Sequence, residues 1–128
     1  MKQRVFLADD DEDDRFFATQ GINPDADCEL TLFTNGEDLI HHLEKLPTSE
    51  QPTLIFLDLN MPRMNGFETL AILKEKWKHI PAIILTTSDH ERDREKAARL
   101  GADDFLTKPD NFNRLNEVLT SISSCWKA

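Results

Sequence analysis

Apolar residues gather in five short runs along the chain, at 5–8 (VFLA), 30–33 (LTLF), 54–57 (LIFL), 82–85 (AIIL) and 105–107 (FLT). Three of these runs are continuous rather than alternating, the pattern of parallel strands buried on both faces. Between them the apolar spacing turns helical. Leu39, Ile40, Leu43 and Leu46 share one predicted helix face, and Phe67, Leu70, Ala71, Lys74 and Trp77 share another, with Lys74 extending its stem along apolar surface. Leu115, Val118, Leu119, Ile122 and Trp126 form the clearest stripe. Residues 89–100 are far more polar, with Ala97, Ala98 and Leu100 as the apolar part, so this helix has a thin buried face.

The punctuation agrees. Asn35-Gly36 follows the second run, Pro81 precedes the fourth, Gly101 closes the fourth helix and PTSEQP (47–52) makes a loop. Five strand–helix units result, which predicts an α/β fold: a flavodoxin-like (βα)5 doubly wound parallel sheet, strand order 2-1-3-4-5. Ligands of such sheets bind beyond the carboxyl ends of the strands, at the switch point between strands 1 and 3. The residues just after each strand are therefore the ones to inspect.

Composition narrows the function. The 128 residues make one domain (1–128), with no predicted output domain. Fifteen basic against 24 acidic residues leave a net charge of −9, which excludes a phosphate-backbone binder with a clustered basic face; no nucleic-acid partner is expected. There is no signal-peptide pattern and no membrane-length apolar run, so a cytoplasmic protein with no membrane partner is expected. Cys28 and Cys125 define neither a metal spacing nor a disulfide framework, and reduced thiols are expected.

Chemistry concentrates at the strand ends. Asp9 and Asp10 follow strand 1, Asp58 follows strand 3, Thr86 ends strand 4 and Lys108 follows strand 5. Asp9 and Asp10 open a run of six acids, DDDEDD (9–14), whose mutual repulsion needs an offset. Asp11 to Asp14 fit a helix start, where the dipole and free N–H groups favour anions. Asp9, Asp10 and Asp58 offer hard oxygen ligands suited to Mg²⁺, with the backbone carbonyl of Asn60 as a further oxygen. Lys108 supplies a point charge for a phosphoryl oxygen, Thr86 a hydroxyl, and Asp58 a carboxylate nucleophile. A calcium loop of the D-x-D-x-D type is excluded, because its sixth position is Asp14 rather than glycine and its twelfth is Gln20 rather than glutamate.

Four stretches, FLADDDEDD, FLDLNMPRMNG, PAIILTTS and GADDFLTKP, occur in the order of signatures that span the chain. Together they resemble the receiver domain of two-component response regulators. The resemblance implies a phosphorylation-dependent switch rather than an enzyme, one that assists its own phosphorylation and dephosphorylation. It makes Asp58 the phosphoacceptor and Asp9, Asp10, Asp58 and Asn60 the Mg²⁺ ligands, and gives Thr86 and Lys108 the transferred phosphoryl group. Spacing from Pro81 and Lys108 within this family selects Thr86 over Thr87, leaving Thr87 where a small residue is usual. Phe105 falls at the aromatic switch position, which is often tyrosine. The Lys108–Pro109 bond is expected to be cis.

The partners implied are a sensor histidine kinase or histidine phosphotransfer protein, with likeness to the regulators of phytochrome-type kinases, and a downstream protein target or a homodimer. His41, His42, His79 and His90 read as surface residues, Met61, Met64 and Trp77 as packing, and Asp103-Asp104 as a solvated turn.

Overall fold

The computed structural model describes residues 2–127, apart from the side chain of Phe112. In chain order it contains β1 (Gln3–Ala8), α1 (Glu12–Gln20), β2 (Cys28–Phe33), α2 (Gly36–Glu44), a 3-10 turn (Thr48–Glu50), β3 (Leu54–Leu57), α3 (Gly66–Lys76), β4 (Ala82–Thr86), α4 (Glu91–Arg99), β5 (Asp104–Thr107) and α5 (Phe112–Ile122). All strand pairs are parallel and the sheet order is β2-β1-β3-β4-β5, as the apolar runs predict.

Strand residues alternate between two cores, because successive side chains leave a strand on opposite faces. Phe6, Ala8, Ile55, Leu57 and Ile84 pack with Leu39 and Leu43 of α2, Leu70 and Leu73 of α3 and Ala97 of α4. Val5, Leu7, Phe56, Ile83 and Leu85 pack with Ala18 of α1, Leu115 and Leu119 of α5, and Trp126. Every residue of β4 is buried, so this strand has no solvent face at all. Each fully buried leucine or isoleucine contributes about 1.5–3 kcal/mol relative to exposure.

The helix faces differ from the sequence reading in detail. On α3 the buried side is Thr69, Leu70 and Leu73, with Ala71 exposed. On α4 only Ala97 is buried and Ala98 faces solvent, so that face is thinner than expected. Gly101, at φ 98°, closes α4 in the left-handed conformation that only glycine adopts cheaply. Trp126 does not continue the α5 stripe, because α5 ends at Ile122 and the chain turns. The following strap forms a bridge from Trp126 to Ile22, and Asn23 N donates to Cys125 O at 2.7 Å. Trp126 still reaches the core, donating its indole N–H to Ala18 O at 2.8 Å and meeting Phe56 edge-on.

The strap also overturns the expectation of free thiols. Cys28 and Cys125 form a disulfide, with Cα atoms 5.8 Å apart across a separation of 97 residues. Cys28 opens an edge strand, and the turn after α5 carries Cys125 to the same end of the sheet. The three-dimensional return of the strap, not the cysteine spacing, makes the bond.

Cross-linking so long a loop restricts the unfolded chain. Reduction, or the paired replacement Cys28→Ala with Cys125→Ala, is expected to lower stability by about 2–4 kcal/mol. Urea midpoints with and without dithiothreitol measure this, and coincident curves would contradict it.

Candidate functional site

The site forms where β1, β3, β4 and β5 end. β1 delivers Asp9, which is 1% exposed, and β3 delivers Asp58, which is 7% exposed. Asp10 stands beside them in solvent, and one carboxylate oxygen from each of Asp9, Asp10 and Asp58 lies within 4.8 Å of the others. This all-oxygen, all-anionic donor set fits a hard divalent cation. Asn60 follows two residues after Asp58 and is exposed.

The loop after β3 folds back tightly. Gly66 N donates to Leu59 O at 2.9 Å, and a Cβ on Gly66 would come within 2.3 Å of the Asp58 carbonyl, so glycine is required by close approach. Arg63 ties the same loop to the start of α2 through Glu37 at 2.6 Å and Asp38 at 3.6 Å.

Lys108 is the cation that bonds the site carboxylates. Its Nζ donates to Asp9 Oδ2 at 2.6 Å, Asp14 Oδ2 at 2.8 Å and Asp58 Oδ2 at 3.1 Å, with the side chain 5% exposed. Asp14 belongs to none of the ligand or phosphoryl positions read from the sequence, where it is only one acid of a helix start. The cap itself is as expected: Asp11 accepts from Asp13 N at 2.8 Å and from Asp14 N at 3.3 Å.

No peptide bond among the described residues is cis, which corrects the expectation for Lys108–Pro109. The β ladder orients the lysine without it, since Lys108 N donates to Thr86 O at 2.7 Å.

Thr86 is fully buried at the end of β4, its Oγ1 accepting from Ser88 N at 3.4 Å, whereas Thr87 is exposed. Phe105 is buried, and the Arg94 guanidinium of α4 sits 4.7 Å from its ring centre while donating to its carbonyl at 3.1 Å. The structure thus joins Asp9, Asp10, Asp58 and Lys108 into one cluster, with Thr86 beside it on the neighbouring strand and Phe105 three residues upstream of the lysine.

The histidines behave as read: His41, His42, His79 and His90 are all exposed. Asp103 is exposed in the bend before β5, as read, and in addition accepts from Lys74 Nζ and from Ala82 N, each at 2.7 Å, joining α3 to the start of β4. Lys74 keeps most of its side chain buried, as expected of a snorkelling lysine, and its ammonium ends on this carboxylate.

Crowding shifts protonation. Burial pushes the Asp9 carboxyl up from 3.8 to about 7; Lys108 pulls it down, and the charge of Asp58 adds to the rise. For Lys108, burial works to lower the pKa, but Asp9, Asp14 and Asp58 outweigh it and hold the ammonium above its ordinary value. The two shifts have different leading causes: burial raises Asp9 against the pull of Lys108, and the surrounding carboxylates raise Lys108 against burial.

Asp9 therefore binds its proton more tightly folded than unfolded, and its protonation favours folding below about pH 7. In divalent-free buffer, stability is expected to fall by about 1–3 kcal/mol as pH rises from about 4 through about 7. Asp9→Asn should remove that part of the slope, and parallel slopes from urea melts of the two proteins would contradict it.

Comparison with known proteins follows the same lines. Residues 5–120 match the response regulator receiver domain model. The chain is 33% identical over 113 residues to the transcriptional regulatory protein PcoR of Escherichia coli, covering 88% of this chain and 48% of that protein. It is 35% identical over 105 residues to response regulator Rcp1 of Synechocystis sp., covering 78% of this chain and 71% of Rcp1. The chain thus spans about half the length of PcoR. Among solved structures it is similar to the phosphorylated cyanobacterial phytochrome response regulator RcpA (TM-score 0.90, 27% identity, 98% of this chain and 94% of that one). It is also similar to the Mn²⁺-bound form of Rcp1 (TM-score 0.81, 30% identity, 95% and 92%). With the parallel sheet and the strand-end cluster, these matches show that the chain belongs to the response regulator receiver domain family, the phosphorylation-dependent switches of two-component systems.

Proposed function

We propose that Asp58 is the phosphoacceptor of this switch and that its phosphodonor is the phosphohistidine of a sensor kinase or histidine phosphotransfer protein, of the phytochrome-associated kind. The observation that carries this reading is the ammonium of Lys108 on Asp58 Oδ2 at 3.1 Å inside a group of three strand-end carboxylates. An Asp58 oxygen attacks phosphorus in line. The new O–P bond forms as the P–N bond to the donor imidazole breaks, and the electron pair leaves on that nitrogen. Asp9, Asp10, Asp58 and the Asn60 carbonyl would hold Mg²⁺, which would supply positive charge to the phosphoryl oxygens and offset the carboxylate surplus. Lys108 neutralises another oxygen, so the residues contribute mainly positioning and electrostatics. In the separate hydrolytic step, water attacks phosphorus and gives up a proton to solvent, the O–P bond to Asp58 breaks, and inorganic phosphate leaves with the carboxylate restored. That RcpA is known phosphorylated and Rcp1 with Mn²⁺ supports the same chemistry here.

The added charge is read out through Thr86 and Phe105. The Thr86 hydroxyl turns to a phosphoryl oxygen and vacates space toward β5, where Phe105 lacks the hydroxyl of a tyrosine and couples by packing. Helix α4, whose one buried residue is Ala97, is held by little apolar surface and can shift readily. The downstream partner, a protein target or a second copy of the chain, then meets the altered face of α4, β5 and α5.

Intact-mass measurement after acetyl phosphate tests the reading. One Mg²⁺-dependent phosphoryl adduct is expected on the wild type and none on Asp58→Asn; a folded wild type that takes no adduct would overturn it. Thr87 follows Thr86 at the end of β4 and is exposed, and Thr87→Ala is expected to shorten the lifetime of the adduct by admitting water. An unchanged decay rate would remove Thr87 from the account.

A further inference from the structure

Asp14 occupies the third helical position after the cap of α1. An acid there ordinarily turns back to accept from the backbone N–H of the cap residue. Helix α3 does this: Asn65 N donates to Glu68 at 3.0 Å while Glu68 N donates to Asn65 at 2.9 Å. At α1 the equivalent N–H is already engaged, because Asp11 N donates to Asp9 Oδ1 at 2.9 Å. The Asp14 carboxylate is released from capping and reaches Lys108, 94 residues away in sequence, at 2.8 Å.

An ammonium has three N–H donors, and Asp9, Asp14 and Asp58 use all three. Lys108 therefore cannot bond a phosphoryl oxygen without leaving a carboxylate. The three differ in what that departure costs. The side chain of Asp9 is 1% exposed and that of Asp58 10%, whereas that of Asp14 is 24% exposed, so water can replace the lysine most readily at Asp14.

We infer that Asp14 is a positioning residue that restrains Lys108 before phosphorylation and is the partner the lysine gives up when the phosphoryl group arrives. The inference rests on Asp58 being the phosphoacceptor. In the resting protein Asp14 has two effects of opposite consequence. It withholds the lysine and repels an anionic phosphodonor, which slows transfer. It also adds negative potential to the cluster of Asp9, Asp10 and Asp58, which strengthens divalent binding.

The test compares wild type, Asp14→Asn and Asp14→Glu. The initial rate of adduct formation from acetyl phosphate is measured at saturating Mg²⁺, and Mg²⁺ affinity is measured separately by calorimetry without phosphodonor. Asp14→Asn is expected to raise the rate about five- to tenfold, as loss of one charge-assisted hydrogen bond to the lysine allows. It is expected to weaken Mg²⁺ binding about threefold, as removal of one nearby charge does at a partly solvated site. Asp14→Glu should return both quantities toward wild type. A misfolded variant would lower both, so opposite movements separate positioning from structural damage. A rate for Asp14→Asn at or below that of a normally labelled wild type would overturn the role of Asp14 alone. Absence of any adduct on the wild type would overturn the Asp58 reading and the inference with it.

Discussion

One ammonium among carboxylates organises this protein. Lys108, extended from the end of β5, bonds Asp9 from β1, Asp58 from β3 and Asp14 from α1. Without that charge the ends of the two central strands would present buried like charges a few ångströms apart, a costly arrangement in a poorly hydrated place. The pairing is not simply a stabilising bridge. Burial costs both partners solvation, and the acids outnumber the cation. The site is left short of positive charge by construction, and that deficit is what makes it receptive to a divalent ion. The folding problem posed by the acidic run and the chemistry of the switch are one electrostatic question.

The parallel sheet is what brings these charges together. Parallel order places the carboxyl ends of β1, β3, β4 and β5 along one edge, so residues far apart in sequence converge without any long loop. The continuous apolar runs were sufficient to read this, because a strand buried on both faces has no polar alternation to obscure it. Asp9, Asp10, Asp58, Thr86 and Lys108 could then be found simply as the polar residues that follow those runs.

Other features were illegible for identifiable reasons. Asp14 lies in a helix start, where acids are ordinary, and only the prior engagement of the Asp11 amide frees it for Lys108. Asp103 resembles a turn residue, yet it bonds a lysine that the helix pattern assigns to an apolar face. The Cys28–Cys125 bond depends on where the chain goes after α5, and residue spacing contains no information about that return. Trp126 kept the spacing of the α5 stripe by coincidence: it is buried through the strap, not through the helix. In each case a tertiary contact determined the role of a residue whose local pattern pointed elsewhere.

The two tryptophans fall on opposite sides of the sheet. Trp126 is 2% exposed in the α1–α5 layer, edge-on to Phe56 two residues before Asp58, and Trp77 is half-buried against the α2–α3–α4 layer. The chain contains no other tryptophan and no tyrosine, so its ultraviolet emission comes almost wholly from these two rings. One is dry and hydrogen-bonded to a fixed carbonyl; the other borders water. Their spectra are therefore separable, and each half of the molecule carries its own optical reporter without any label being added.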